Sequence, residues 1–216
     1  MSLDDPVHAY QSYARAADLD PPNVDAQVKA AALLVGGGEF EAAQSRAKAA
    51  IERDPRNVEA HIALGHALAG LKDLRHAIVQ IEEAIALDPS SAPAWNALGA
   101  LRFKDGALDA AAAAFEHAVA LAPSSVDARL SLADYQWARQ DAAGAENALR
   151  AALAIDSANP LAHRALALLC LAAGRAADVE VHFKALAARD DAGRLSLADY
   201  YLALRRRDEA PASSDR

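Results

Sequence analysis

The sequence predicts an all-α fold, a right-handed superhelical array of about a dozen helices stacked as repeated pairs. Three observations predict it. Landmarks recur at a fixed step of 34 residues: Asp54-Pro55, Asp88-Pro89, Ala122-Pro123, Asp156-Ser157 and Asp190-Asp191. The chain is 53% hydrophobic but only 5% aromatic, because alanine, the strongest helix former, supplies much of the apolar content. Apolar residues within each period follow helical spacing, as in Ala77, Ile78, Ile81, Ala84 and Ile85.

The elements follow in order as one array over residues 1–216. Residues 6–23 read as a half repeat containing a second helix alone, with Ala9, Tyr13, Ala16 and Pro21 in register. Full units follow at 24–57, 58–91, 92–125, 126–159 and 160–190, each two helices joined by a tight turn. In the second unit the first helix runs from Val58 to Gly70, Lys72-Asp73 turns, and Asp88-Pro89-Ser90-Ser91 stops the second helix. Proline cannot continue a helix, and serine or aspartate caps the next one. Ser196-Leu-Ala-Asp-Tyr repeats Ser131-Leu-Ala-Asp-Tyr at a separation of 65, so the fifth unit has lost about three residues near Asp190-Asp191. A partial sixth unit covers 191–210, with a turn expected at Arg205-Arg206-Arg207 and a second helix starting at Asp208; 211–216 is a polar tail. The chain thus begins and stops in mid-repeat. Either single helices cap a small array, or these residues are a segment of a longer one. The second is favoured, because complete arrays end in polar outer faces.

These residues resemble the tetratricopeptide repeat. Its pattern has a large residue at repeat position 4, Leu at 7, Gly at 8, a large residue at 11, Ala at 20, Phe at 24, Ala at 27 and Pro at 32. The third unit supplies Trp95, Leu98, Gly99, Ala111, Phe115, Ala118 and Pro123, departing at Arg102; the second supplies Leu64, Gly65, Leu68, Ala77, Ile81, Ala84 and Pro89. The first has Ala30-Ala31 for Leu-Gly, the fourth has Ser157 for proline, and the fifth is the most degenerate. Small residues at 8 and 20 let the paired helices approach, and Phe115 is expected to fill the wedge between units. A large side chain at Gly65 or Ala111 should cost about 1–3 kcal/mol through overpacking.

The resemblance implies a concave face lined by first-helix positions 2, 5, 9, 12 and 13. Carried onto this sequence, these give an acidic edge at Asp25, Glu59 and Asp127, and an apolar floor including Ile62, Leu130, Leu168, Leu171 and Leu202. His66, Asn96, Asp134, Arg164 and Asp199 stand among them, with Phe103 and Trp137 as central aromatics. Trp95 fills a position where the repeat expects a packed aromatic. Trp137 occupies a position where the repeat demands nothing; it either packs beneath the next unit or stands in the groove, and the groove is favoured for it and for Phe103.

Several chemistries are excluded at this level. A net charge of −8 argues against nucleic acid or an anionic membrane as partner, and no apolar run is long enough to span a bilayer. The basic ladder that clamps chaperone carboxylates is absent: position 6 reads Lys29, Ala63, Ala97, Ser131 and Ala165. The asparagine ladder of the O-linked sugar transferases is absent too. Seven histidines lack metal-binding spacing and read as scattered surface residues; Cys170, at a core position, reads as a buried inert thiol. Gly36-Gly37-Gly38 reads as a turn, with no strand before it or Lys-Ser/Thr after it. No catalytic residue, cofactor or metal is expected.

The resulting expectation is a non-enzymatic protein-interaction scaffold; a resemblance to bacterial secretion chaperones and assembly scaffolds is compatible with it, and nothing in the sequence selects among them. The scaffold would hold an extended or helical protein segment, apolar with basic residues, in the groove. The alternative is a substrate-recruiting segment of a larger protein whose catalytic domain lies elsewhere. End-to-end self-association through unpaired terminal helix faces is a further expectation. The compartment read from the sequence is cytoplasmic, or periplasmic if a leader has been removed.

Overall fold

The computed structural model describes residues 13–15, 19 and 23–209, with the backbone alone for 204–209. The half repeat expected over 6–23 lies outside these except at 13–15, 19 and 23, and the tail 211–216 lies wholly outside. Among the described residues eleven helices have defined bounds. They are α1 (Val24–Gly36), α2 (Phe40–Arg53), α3 (Val58–Gly70), α4 (Leu74–Leu87), α5 (Ala92–Lys104), α6 (Leu108–Leu121), α7 (Val126–Ala138), α8 (Ala142–Ile155), α9 (Pro160–Ala172), α10 (Ala176–Ala187) and α11 (Asp191–Glu209). The fold is all-α. None of the described helices is long and apolar enough to cross a membrane.

The period is written into the backbone at three points. Every odd-numbered helix opens on a capping side chain: Asn23, Asn57, Ser91, Ser125, Asn159 and Asp190 each accept from the backbone N–H three residues on, at 2.8–3.3 Å. That satisfies one of the amide donors that a helix start leaves free. The turn inside each pair places one residue at positive φ: Gly38, Lys72, Gly106, Gln140 and Gly174, 34 apart. At position 4, ring nitrogens donate to a carbonyl in the link after the preceding helix: His61 Nε2 to Pro55 at 3.1 Å, Trp95 Nε1 to Pro89 at 2.9 Å and His163 Nε2 to Ser157 at 3.0 Å.

Packing inside a pair depends on small side chains. Ala43, Ala77, Ala111 and Ala145 are wholly buried at position 20, as are Ala50, Ala84, Ala118 and Ala152 at position 27. Gly65 lies against Ile81 and Gly99 against Phe115; a Cβ on Gly99 would come within 2.8 Å of the Phe115 ring. The position-24 side chain therefore fills the seam inside its own pair, and not only the wedge between pairs. Ile81 does both, since it also shares a core with Ala97 and Leu101 of the next pair.

The chain forms two compact units, one up to Pro123 and one from Ser124 onward. In the first, α1/α2, α3/α4 and α5/α6 are the pairs; α2 packs on α3 and α4 on α5, and α1 meets α3 as α3 meets α5. Arg102, the departure at position 11, is half-buried and bonds Glu82 on α4, which accounts for a charge at an apolar position.

In the second unit the pairs are α7/α8 and α9/α10; α8 packs on α9 and α10 on α11. Arg175, in the turn before α10, reaches Glu146 on α8 with both terminal nitrogens at 3.0 and 2.7 Å. This guanidinium holds the Glu146 carboxyl below its ordinary pKa. The three residues missing from the fifth period are also located. Helix α10 has 12 residues where α8 has 14, and the link to α11 has three residues where the others have four. The shorter link draws α11 onto the end of α10. Position 3 of that helix is accordingly Gly193, packed on the Leu186 carbonyl, where the earlier pairs have buried Ala26, Ala60, Ala94, Ala128 and Ala162.

Two expectations fail. Arg205-Arg206-Arg207 is not a turn: α11 continues to Glu209 as one helix of 19 residues. The segment is rich in leucine and arginine, good helix formers, and lacks the Gly or Asx punctuation of the other turns. His61 and His163 are not surface residues but are 6% and 8% exposed. Position 4 buries its side chain and bonds it across to position 23 of the same pair: Gln27 to Arg46, His61 to Gln80, and His163 to His182.

Candidate functional site

The first helix of each full pair buries positions 3 and 8, and positions 2, 5, 9 and 12 are half-buried or exposed. In the first unit these four positions offer little apolar surface. Val28, Val35, Ile62, His66, Ala69, Asn96, Ala100 and Phe103 are all half-buried. Ile62 packs on the unit's core. Burial, and then the nearby Lys104, hold His66 below the usual histidine pKa. Asp25 and Glu59 are exposed in the first turns of α1 and α3, where a carboxylate complements the helix dipole; Asp25 is also paired with Lys29 at 2.7 Å.

The second unit differs. Trp137 is 48% exposed, Leu168 57% and Leu171 44%, at positions 12, 9 and 12 of α7 and α9. Leu161, at position 2 of α9, is 58% exposed, and Leu195 and Leu202 on α11 are 67% and 55% exposed. Leu161, Leu168 and Leu171 lie 7 and then 3 residues apart, so they form one stripe along α9. Isolated surface leucines need no explanation, but a stripe of them on an outward helix face does.

Between α7 and α9, over α8, lies a cleft of about 400 Å³. Ala133, Ala145 and Ala165 line it with Leu149, Leu168, Leu169, Trp137 and Asp134. The close packing of first helix on first helix that joins α1 to α3 and α3 to α5 is at most slight between α7 and α9. The residues at positions 9 and 12 also differ between the units. In the first unit these are Ala32, His66, Ala100, Val35, Ala69 and Phe103; here they are Asp134, Leu168, Trp137 and Leu171, with an acidic and three large apolar side chains. Asp134 makes no hydrogen bond or ion pair with any described group, and burial beside these side chains pushes its carboxyl pKa up.

Of the twelve residues singled out from the sequence, the cleft brings together two, Asp134 and Trp137. Asp127 is exposed in the first turn of α7 and Leu130 packs on the core; Arg164 and Asp199 are exposed on α9 and α11 without lining the cleft. Leu161 was missed. Its signal was present, since position 2 is acidic in the first, second and fourth units and leucine in the fifth. Cys170 is 1% exposed, and burial raises its thiol pKa, which leaves it unreactive.

Stacked helix pairs with an open first-helix face define the class of helical-repeat scaffolds. Tetratricopeptide-repeat profiles match residues 34–101 and 92–125. The fold is similar to the crystal structure of MamA, at 25% identity and a TM-score of 0.53 over 71% of this chain and 90% of that one. It is also similar to a thermophilic TPR protein of Thermus thermophilus, TTC0263, at 22% identity and a TM-score of 0.68 over 83% and 99%. Pseudomonas aeruginosa pilF aligns at 18% identity and a TM-score of 0.62 over 92% and 90%. No curated protein matches the sequence significantly. The chain is a tetratricopeptide-repeat protein, and with that architecture it belongs to the protein–protein interaction scaffolds.

Proposed function

We propose that this scaffold binds an apolar protein segment carrying basic residues on the first-helix face of its second unit, with Trp137 and Leu168 as anchors. One observation carries the reading. Large exposed apolar side chains gather at the outward first-helix positions of α7, α9 and α11, while the large apolar side chains at those positions of the first unit, Val28, Val35, Ile62 and Phe103, are half-buried. Aromatic and leucine anchors beside a cleft are the usual source of binding energy in a peptide groove. The acidic balance of the chain supports a basic partner.

The test is selection of random 12-residue peptides displayed on phage against the whole immobilised chain. Enriched peptides are then titrated by anisotropy against wild type, Trp137→Ala and Leu168→Glu. Both positions are exposed, so thermal melts of the variants should match wild type. Each substitution should weaken binding by at least about tenfold. Peptides that bind all three proteins equally would place the contact elsewhere, and a library that yields no binder would sink the reading.

A further inference from the structure

The α7–α9 cleft offers more than apolar surface, and what it selects can be read from its lining; this step rests on the docking reading above. Its volume of about 400 Å³ is at the small end of binding pockets, suited to one or two side chains rather than a cofactor. Its floor is the methyl groups of Ala133, Ala145 and Ala165, and among the described residues its only charged lining residue is Asp134. Asp134 and Trp137 are three residues apart on one helix, so carboxylate and indole share a face.

An apolar group seated there would strip water from a carboxylate with no partner, which is costly. An anion would add repulsion to that loss. A cation on an aliphatic stem meets every demand of the lining: its charge satisfies the carboxylate, its methylenes cover Leu168 and Leu169, and the face of Trp137 attracts it. We propose that the cleft takes a lysine or arginine side chain of the partner segment, with Asp134 as its counter-ion and Trp137 packing along its stem. Arg164, the nearby cation on α9, does not line the cleft and makes no ion pair among the described residues, leaving Asp134 unneutralised. The exposed leucines on either side require apolar residues to flank that basic residue in the partner.

The experiment repeats the 12-residue selection against wild type, Asp134→Asn and Asp134→Lys, with circular dichroism and melts confirming that the exposed substitutions leave the fold intact. Wild type should enrich one Lys or Arg position flanked by apolar residues. Replacing that residue by norleucine, or Asp134 by Asn, should weaken binding about tenfold. Asp134→Lys should select Asp or Glu there instead. Binders that depend on Trp137 but show no basic position, or that ignore Asp134→Asn, would overturn the cation pocket and leave the docking reading standing. Binders indifferent to Trp137 and Asp134 alike, or no binders, would overturn both.

Discussion

A single side chain changes what position 4 can do in different pairs. His163 Nε2 lies 3.0 Å from the Ser157 carbonyl, which can only accept, so that nitrogen carries the proton. Nδ1 of His163 then accepts from Nδ1 of His182 at 3.0 Å. Burial, then the neighbouring His163, lower the His182 pKa; Asp178 and Glu146 act against that shift, and Arg150 acts with it. A histidine whose folded pKa is depressed favours the fold when neutral. Its contribution is complete above the unfolded value of about 6.5 and is lost as pH falls through that value toward the folded one. The melting temperature should therefore drop on acidification from about pH 7 to 5.5. His182→Gln, which copies Gln80 at the same position of the second pair, should remove part of that drop. His66→Gln should remove another part, since burial lowers that pKa too. A pH profile unchanged in both variants would exclude these histidines as the cause.

Helix ends and turns are the places where an element is fixed by one or two residues. Asn57 caps α3 with a 2.8 Å bond to the Ala60 N–H, and Asn57→Ala should cost about 1 kcal/mol in urea melts. Lys72 and Gln140 sit at φ 65° and 64°, where Gly38, Gly106 and Gly174 stand in the sister turns. Lys72→Gly and Gln140→Gly should each be neutral or stabilise by up to about 1 kcal/mol, because removal of the Cβ strain slightly exceeds the entropy glycine gains in the unfolded chain. Gly193→Ala should instead destabilise by about 1–3 kcal/mol, since the new methyl would meet the Leu186 carbonyl rather than a movable side chain.

At the scale of the whole chain, a repeat array is stabilised by neighbours. Helix α3 meets α2, α4, α1 and α5, whereas α11 packs on α10 alone among the described helices. Amide exchange should therefore be slowest in α3 and α4, around the core of Leu64, Leu68, Ile78 and Ile81, and fastest in α11. Equal protection across the helices would contradict nearest-neighbour stabilisation. The net charge of −8 should make association with basic peptides slow as salt rises, through the on-rate more than the off-rate.

The period was legible in the sequence because each repeat needs the same few local solutions: a capping Asn or Ser, alanines where helices touch, and a turn residue tolerant of positive φ. Gly65, Ala77 and Asn57 announce their roles by type and spacing. Position 4 was only half legible. A large residue there could be read as packing, but the carbonyl six residues back and the partner at position 23 come from other turns and helices, so the burial of His61 and His163 did not show. Continuation of α11 through its three arginines was legible in the lack of Gly or Asx there, a local signal that the 34-residue register overrode. The cleft lay furthest from view. Asp134 and Trp137 were identifiable as outward positions, yet whether such residues stand free depends on how closely neighbouring first helices approach. The cleft is lined by side chains from α7, α8 and α9 together, a combination that no single stretch of sequence carries.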